Sequence, residues 1–279
     1  MAGQDYADAV EYIAREIPVH YVEHGGGAPI LLLHGAGVDH REMVGAMEPI
    51  LSELPDCRRL YPDLPGMGRT PASGTLHGAD DVLDVLLAFI DGVLGAGRFR
   101  LIGHSAGGYY ARAIAGRRPE QVTGLALICP LGENARNLPV HQVLHASIDP
   151  GETLGPAEES VFRDYFVVQT PATLERYKKY VVPALGLVDE AALERIGEHW
   201  LFSSSPEEGP PYSGPVLIVT GRQDSTVGYA GQWDLLEHYP RASFAVLDRA
   251  GHALPHEQPD LMKALITEWL DRVNERHSS

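Results

Sequence analysis

The sequence predicts an α/β protein in which a mostly parallel sheet is flanked by helices. From Val19 onward, short β-type runs alternate with longer helical patterns, which is the pattern of a parallel sheet covered on both faces. The strand candidates are compact apolar runs that end in glycine or proline, as buried strands do. With 279 residues, the chain is long enough for one large domain that carries an inserted subdomain.

Three segments predict the first half of the sheet. "PILLLHG" at 29–35 indicates a buried strand and a turn, and "CRRLYPDLPG" at 57–66 indicates a second strand closed by prolines and a glycine. A continuous apolar stripe then predicts a helix on the sheet, formed by Val82, Val85, Leu86, Phe89, Ile90 and Val93. Before Val19 the apolar residues recur at helical spacing, so we expect an N-terminal helix that packs at the sheet edge or serves a dimer.

The same alternation continues in the second half. Strands are predicted at 98–103 and 122–129, with a helix between them over about 106–116. Two further strands, at 215–221 and 242–248, precede a final helix. That helix carries on one face Leu261, Leu265, Trp269 and Val273.

After the strand that ends near residue 129, the alternation stops. Helical patterns such as 158–168 and 189–202, separated by Pro and Gly, replace it. We therefore predict a core formed by residues 1–130 and 214–279, with a helical cap, residues 131–213, above the sheet. The alternative is a set of packing helices with no gating role, because helical patterns alone do not fix their position.

Charge and composition exclude several partners. The formal net charge of -16 repels phosphate backbones and anionic lipid, so we expect neither a nucleic-acid partner nor a membrane partner. The N-terminus lacks the basic start and apolar core of a signal peptide, and no run of 18 apolar residues occurs. Of the two cysteines, Cys57 and Cys129, the second lies in the apolar run "LALIC" and is predicted to be a buried free thiol. These features predict a cytoplasmic protein.

The stretch "LIGHSAGGYY", residues 101–110, predicts a nucleophile. A serine hydroxyl reacts poorly until a base takes its proton, so position must supply what reactivity lacks. If a strand ends at Gly103 and a helix begins at Ala106, Ser105 lies in a strained turn that leaves no room for side chains two residues away on either side. Gly103 and Gly107 meet that condition. The turn lifts the Ser105 hydroxyl to the C-terminal edge of the strands, where such sheets bind ligands.

Two backbone amides are candidates for stabilising an oxyanion at this edge. The N–H of Ala106 opens the helix after the serine, where the helix dipole favours negative charge. The N–H of Ala36 lies in "HGAG", residues 34–37, the loop after the first strong strand. The alternative for "HGAG" is an ordinary glycine turn.

A base and an acid follow later strands. His252 in "AGHALPHEQPD" comes after the last predicted strand and before the final helix, which brings it to the same sheet edge. Asp224 in "GRQDSTV" follows the strand at 215–221 and is placed to fix the tautomer of that histidine. The chain order of Ser105, Asp224 and His252 is the order expected on a hydrolase sheet.

Other residues of the same types stay open as alternatives. For the base, we expect His256 to face solvent or cap a helix, and His104 to pack on the far side of the serine turn. For the acid, the rivals are Glu133 and Asp248.

With these motifs in place, the chain resembles the α/β-hydrolase superfamily, from "PILLLHGAG" through "DLPGMGRT", "GHSAGG" and "GRQDSTV" to "AGHALPHEQPD". The resemblance covers nearly all of the chain and implies the α/β-hydrolase fold with a lid inserted after the sixth strand. It also implies acylation and water-driven deacylation by a Ser-His-Asp triad: Ser105 as nucleophile, His252 as base and Asp224 as acid, with Ala36 and Ala106 as the oxyanion hole. Serine at position 105 argues against the haloalkane dehalogenase and epoxide hydrolase branches, which use aspartate there. We expect no cofactor and no metal.

These features favour an enzyme that hydrolyses esters or lactones of small, uncharged, partly apolar carboxylic acids. Six side chains are placed to line an apolar pocket or else belong to the core: Val38, Tyr109, Leu131, Phe166, Val227 and Leu254. Amide cleavage, carbon–carbon bond hydrolysis of diketone-type substrates and cofactor-free perhydrolysis use the same triad and stay open. A different class, a receptor-like binding protein, would keep the pocket without turnover. We expect a small-molecule substrate and consider a homodimer possible.

Overall fold

A computed structural model describes residues 9–54 and 56–275 of the chain. This part of the chain contains ten strands, which are β1 Ala9–Ala14, β2 Ile17–His24, β3 Ala28–Leu33, β4 Cys57–Pro62, β5 Phe99–His104, β6 Val122–Ile128, β7 His145–Ala146, β8 Val168–Gln169, β9 Val216–Gly221 and β10 Ala242–Leu247. It also contains nine α-helices, which are α1 His40–Leu51, α2 Ala79–Val93, α3 Ala106–Arg117, α4 Pro156–Tyr165, α5 Pro171–Tyr180, α6 Val182–Leu185, α7 Glu190–Gly197, α8 Leu254–Glu257 and α9 Pro259–Glu275. Short 3-10 helices span Pro150–Glu152 and Gly231–Glu237.

Eight of these strands form one sheet in the order β1-β2-β4-β3-β5-β6-β9-β10. Strand β2 is antiparallel to both of its neighbours, and β4, β3, β5, β6, β9 and β10 are parallel to one another. The predicted α/β class with a mostly parallel sheet is therefore confirmed. The parallel strands end at one common edge, which is where loops from different parts of the chain meet.

The sheet is buried on both faces, which explains why its central strands read as continuous apolar runs. In β3, Leu31 and Leu33 pack into a cluster that includes apolar residues of α2 and α3. Ile30 and Leu32 point to the opposite face and pack with side chains of α1 and α9. The two-residue alternation of a strand thus divides one apolar run between two cores.

The N-terminal segment differs from its prediction. Residues 9–14 form strand β1, which pairs antiparallel with β2 in a hairpin whose turn residues Arg15 and Glu16 have φ of 47° and 68°. Val10 and Tyr12 pack against the core while Glu11 between them is exposed. The predicted helix is wrong because burial here repeats every two residues, and a short segment does not separate that period from a helical one. The part of this prediction that concerns residues 1–8 lies outside the described residues.

The segment between β6 and β9 contains α4 to α7 and the small parallel pair of β7 and β8. Its helices build an apolar cluster of their own, centred on Phe162, Phe166 and Tyr177. Ala253, next to His252, belongs to the same cluster and joins it to the edge of the large sheet. The division of the chain into a core and a cap stays a prediction. In the described part of the chain, no helix is both long and apolar enough to cross a membrane.

Candidate active site

Ser105 lies in a sharp turn between β5 and α3, with φ of 52° and ψ of -120°. A positive φ is unfavourable for a residue with a side chain and persists only where the surroundings enforce it. Here the Ser105 N–H donates to the carbonyl of Ile128 at 3.0 Å, and its carbonyl accepts from the amides of Tyr109 and Leu131 at 3.1 and 2.9 Å. Backbone hydrogen bonds to β6, α3 and the loop after β6 therefore hold the strained turn in place.

The glycines around Ser105 are required by close backbone approach. A Cβ on Gly103 would lie 2.4 Å from the carbonyl oxygen of Gly107, and one on Gly107 would lie 2.3 Å from the carbonyl oxygen of Leu33. A Cβ on Gly108 would approach Cβ of Pro130 to 2.9 Å. The spacing of glycines in the sequence thus reflects the packing of α3 against β3 and β5.

The structure brings the three predicted catalytic side chains together. Nε2 of His252 lies 2.9 Å from Oγ of Ser105, and Nδ1 of His252 lies 2.8 Å from Oδ2 of Asp224. Ser105 follows β5, Asp224 follows β9, and His252 follows β10, so three parallel strands deliver them to one edge. A continuous hydrogen-bonded chain runs from a buried carboxylate to a serine hydroxyl.

The electrostatics of Asp224 suit the role of an acid that stays ionised. Its Oδ1 accepts from the amides of Thr226 and Val227 at 2.9 and 3.0 Å. Burial opposes ionisation, but the His252 imidazole and these amides outweigh it and lower the pKa of Asp224 below its ordinary value. The carboxylate can therefore accept a hydrogen bond from the N–H at Nδ1 of His252 and stabilise an imidazolium without becoming protonated itself.

The "HGAG" loop packs directly against Ser105. A Cβ on Gly35 would lie 3.2 Å from Cβ of Ser105, so the loop approaches as closely as a glycine allows. His34 fixes the loop, because its Nδ1 donates to the carbonyl of Gly35 at 2.7 Å and its Nε2 accepts from the amide of Leu64 at 2.9 Å. Ala36 and Ala106 border the same cavity, which is where an oxyanion hole would have to lie.

The alternative histidines are buried behind the site. Nε2 of His104 lies 3.1 Å from the carbonyl oxygen of His252, and its Nδ1 lies 3.2 Å from Oε1 of Glu42. His256 is also buried, with Nε2 3.8 Å from the same carboxylate, so the expectation that it faces solvent is wrong. Burial lowers the pKa of His256 to about 4. Neither ring replaces His252 beside the Ser105 hydroxyl.

The alternative acids also lie away from His252. Glu133 pairs with Arg112 at 3.1 Å, and Asp248 is exposed and accepts from Gln223 at 2.7 Å.

An apolar cavity of about 150 Å³ opens beside the serine turn. Its lining consists of Ala36, Pro65, Met67, Val82, Ala106, Tyr109, Tyr110, Leu131, Leu193, Ile196, Gly197 and Trp200. Of the six predicted pocket residues, it includes Tyr109 and Leu131. The lining residues of and after α7 were not predicted from the sequence, although Leu193, Ile196 and Trp200 share helical spacing in the predicted segment 189–202.

The other four predicted pocket residues pack elsewhere. Val227 and Leu254 are buried in the cluster between the sheet and α9. Phe166 belongs to the cluster around Phe162, and Val38 is partly buried against it. Apolar residues in loops resemble pocket residues in a sequence, but the surrounding helices fill the space around these four.

One further cluster brings together groups that could bind a cation. Nδ1 of His40 lies 2.7 Å from Oδ1 of Asp63, and Nδ1 of His20 lies 2.9 Å from Oδ2 of the same carboxylate. The amides of His40 and Arg69 donate to the same oxygens at 2.8 and 2.9 Å. Each Asp63 oxygen therefore already accepts two hydrogen bonds, which fits a cluster that fixes the loop after β4 and the start of α1.

Comparisons with known proteins agree with this geometry. The family model described as the alpha/beta hydrolase family matches residues 30–265. The chain is 26% identical to a 2-hydroxy-6-oxononadienedioate/2-hydroxy-6-oxononatrienedioate hydrolase of Burkholderia vietnamiensis, with 97% of this chain and 96% of that protein covered. It is 28% identical to a pimeloyl-acyl-carrier-protein methyl ester esterase of Chromobacterium violaceum, with 86% of this chain and 94% of that protein covered.

A solved structure is similar over nearly the whole fold. The crystal structure of an alpha/beta superfamily hydrolase from Oenococcus oeni superposes with a TM-score of 0.86 at 29% identity, and covers 95% of this chain and 99% of that one.

Proposed function

This chain belongs to the alpha/beta hydrolase family, and from that premise we propose that it is a serine hydrolase that cleaves esters or lactones of small, uncharged, partly apolar carboxylic acids. The observation that carries the proposal is the chain of contacts from Asp224 through His252 to Ser105, at 2.8 and 2.9 Å, beside an apolar cavity. Membership in the family supports hydrolysis, and the cavity supports the substrate class.

In the proposed acylation step, Nε2 of His252 takes the proton of the Ser105 hydroxyl as Oγ attacks the carbonyl carbon of the ester. The carbonyl oxygen becomes an oxyanion, and in this proposal it accepts hydrogen bonds from the amides of Ala36 and Ala106, two residues that line the cavity. The imidazolium of His252 then gives its proton to the leaving alcohol, and the bond between carbonyl carbon and alcohol oxygen breaks. An acyl-enzyme on Ser105 remains.

Deacylation runs through the same groups with water in place of the serine. His252 takes a proton from water as the water oxygen attacks the acyl carbon. The second oxyanion accepts hydrogen bonds from the same two backbone amides. Collapse breaks the bond to Oγ of Ser105, and His252 returns the proton to that oxygen. Asp224 holds the imidazole in the tautomer that both steps need.

The size and lining of the cavity favour a short acyl group. A volume of about 150 Å³ accommodates a ring or chain of about six carbon atoms. Among the described residues, no Lys or Arg lines this cavity. A neutral hydrocarbon acyl group therefore suits this cavity better than a carboxylate-bearing one, because a buried carboxylate needs a charged or hydrogen-bonding partner.

Carbon–carbon bond hydrolysis is a second candidate, since the relative from Burkholderia vietnamiensis is named as a hydrolase of dioate substrates. Those substrates carry two carboxylates. The apolar lining beside Ser105 supports ester cleavage over that alternative, and a diketone without charges would remain compatible with it.

The test is intact-protein mass spectrometry after incubation with a fluorophosphonate, with Ser105→Ala as the matched control, followed by p-nitrophenyl esters from acetate to decanoate. We expect one adduct on the wild type, none on Ser105→Ala, and turnover of short esters that falls beyond about six acyl carbons. Ester turnover retained by Ser105→Ala would overturn the nucleophile assignment. A folded wild type without adduct would favour a noncatalytic binding protein.

A further inference from the structure

We propose that Glu257 is a positioning residue that holds the His252 loop and the segment around Tyr165 together as one unit. The proposal rests on the proposed function, since it concerns the base of that reaction. Through this carboxylate, one end of the segment between β6 and β9 supports the position of His252.

The carboxylate of Glu257 is buried and joins two distant parts of the chain. Its Oε2 accepts from the amide of Gly251, the residue before His252, at 2.7 Å. Its Oε1 accepts from the amides of Val167 and Val168 at 2.7 and 3.0 Å. One side chain therefore satisfies three buried amides, which would otherwise each carry a desolvation cost.

The two joined parts also touch each other directly. A Cβ on Gly251 would lie 3.0 Å from Cγ1 of Val167, so the histidine loop and the segment pack without a gap. The ring of Tyr165 meets the imidazole of His252 edge to face, with centroids 5.8 Å apart. Displacing residues 165–168 would therefore change the packing around the base itself.

The opposite end of the histidine backbone is fixed as well. The carbonyl oxygen of His252 lies 3.1 Å from Nε2 of His104, and Ala253 packs in the cluster with Phe166. Glu257 supplies the anchor on the N-terminal side, through the amide of Gly251. The imidazole must stay within hydrogen-bond reach of both Ser105 and Asp224, and a displacement of about 1 Å can cost about 100-fold in rate.

Glutamine is an informative replacement because it keeps the shape of the side chain but has only one acceptor oxygen. Its NH2 group would face either the Gly251 amide or the Val167 and Val168 amides, so one of the two anchors is lost. Burial raises the pKa of Glu257 to about 7, against the three amides that favour the ionised form. The assay therefore runs at a pH of about 8.5, where the wild-type carboxylate is charged.

The matched control is Glu48→Gln. Glu48 also accepts three hydrogen bonds, from Nε and Nη2 of Arg59 at 2.7 and 3.1 Å and from the hydroxyl of Tyr61 at 2.6 Å. It joins α1 to β4 and contacts none of the catalytic side chains. The same chemical change is therefore made in a comparable network away from His252.

The measurement is the rate constant and the final extent of Ser105 labelling by a fluorophosphonate, with kcat and KM on a short p-nitrophenyl ester. A residue that only stabilises the fold changes the fraction of protein that labels, whereas a positioning residue changes the rate constant of the folded fraction. We expect Glu257→Gln to lower that rate constant and kcat by about 10- to 100-fold with little change in KM, and Glu48→Gln to leave both near wild type.

Three results separate the possible failures. If Glu257→Gln is labelled with the wild-type rate constant, the positioning role is overturned and the proposed function is unaffected. This holds whether or not the final extent of labelling is reduced. If that variant does not fold, Glu257→Asp, whose carboxylate is retracted by one methylene, is measured, and a wild-type rate there also overturns it. A wild type that never labels overturns the proposed function and this inference with it.

Discussion

At the scale of single residues, the site depends on which atoms carry protons. Nδ1 of His252 must hold a proton for Asp224 so that Nε2 is free to accept the one from Ser105. The lowered pKa of Asp224 secures that arrangement, because an ionised carboxylate only accepts. In the proposed reaction, the tautomer of His252 is thus set by Asp224, which acts through the imidazole and not on the substrate.

Replacing Asp224 by Asn is expected to lower kcat by about 10,000-fold, because the amide can donate to Nδ1 and favour the wrong tautomer. Steady-state kinetics on a short ester, with thermal unfolding measured alongside, would check it. Asp248→Asn is the control, since Asp248 is exposed and lies away from His252. If Glu133→Gln abolished turnover and Asp224→Asn did not, the acid would be misassigned.

At the scale of elements, the turn between β5 and α3 works only while α3 lies against β3. Gly107 makes that approach possible, because a Cβ there would lie 2.3 Å and 2.5 Å from the carbonyl oxygens of Leu33 and His34. This close approach therefore adds to the hydrogen bonds that position the helix start, the serine and the loop after β3 relative to one another. Their relative placement decides whether the amides of Ala36 and Ala106 meet the same oxyanion.

Gly107→Ala is expected to lower the free energy of unfolding by about 1–3 kcal/mol and to reduce turnover, because the added Cβ would lie 2.3 Å from a backbone oxygen. Denaturant unfolding and ester kinetics would measure both. Gly186→Ala provides the control, since a Cβ there meets nothing within 4 Å. Equal stability and activity of the two variants would contradict the packing argument.

Helix α7 limits the cavity beside the serine turn. Leu193 and Ile196 of α7 and Trp200 after it line the side of the cavity that comes from the segment between β6 and β9. In the proposed reaction, the length of the acyl group is therefore limited by a helix distant in sequence from Ser105.

Leu193→Ala is expected to shift the preferred p-nitrophenyl ester toward chains longer by about two to three carbons, because the substitution removes three side-chain carbons from the lining. The comparison is kcat/KM across the acetate-to-decanoate series. Leu187→Ala, an exposed leucine that does not line this cavity, should keep the wild-type profile. An unchanged profile in Leu193→Ala would mean that the acyl group binds elsewhere.

At the scale of the whole molecule, charge affects which substrates arrive. The formal net charge is -16, from 22 basic and 38 acidic side chains. A field of that sign repels anions and leaves neutral molecules unaffected, and salt weakens it.

A monoanionic ester is therefore expected to react more slowly than a neutral ester of the same size at low salt, with the gap narrowing several-fold as salt rises. The range from 0.01 to 1 M shortens the Debye length from about 30 to about 3 Å. Values of kcat/KM for the two esters at both salt concentrations would test it, with the neutral ester as internal control. If the ratio of the two kcat/KM values does not change with salt, the apolar cavity alone distinguishes the neutral ester from the anionic one.

The sequence by itself determined the sheet, the order of its parallel strands along the chain and the candidates Ser105, Asp224 and His252. Apolar runs, helical stripes and glycine spacing are local signals, and parallel strands deliver the residues that follow them to one edge. Strand β1 was predicted as a helix because its six residues are too few for their periodicity to separate a strand from a helix.

Only the tertiary structure decided which side chains surround those residues. It buried His256 beside Glu42, filled the space around Val227 and Leu254, opened the cavity to α7, and brought the amides of Val167 and Val168 to Glu257. Val167 and Glu257 are 90 positions apart, and no periodicity in either segment records a contact between them. Close packing of distant segments sets such contacts, because side-chain volume and hydrogen-bond partners are satisfied in space and not along the chain.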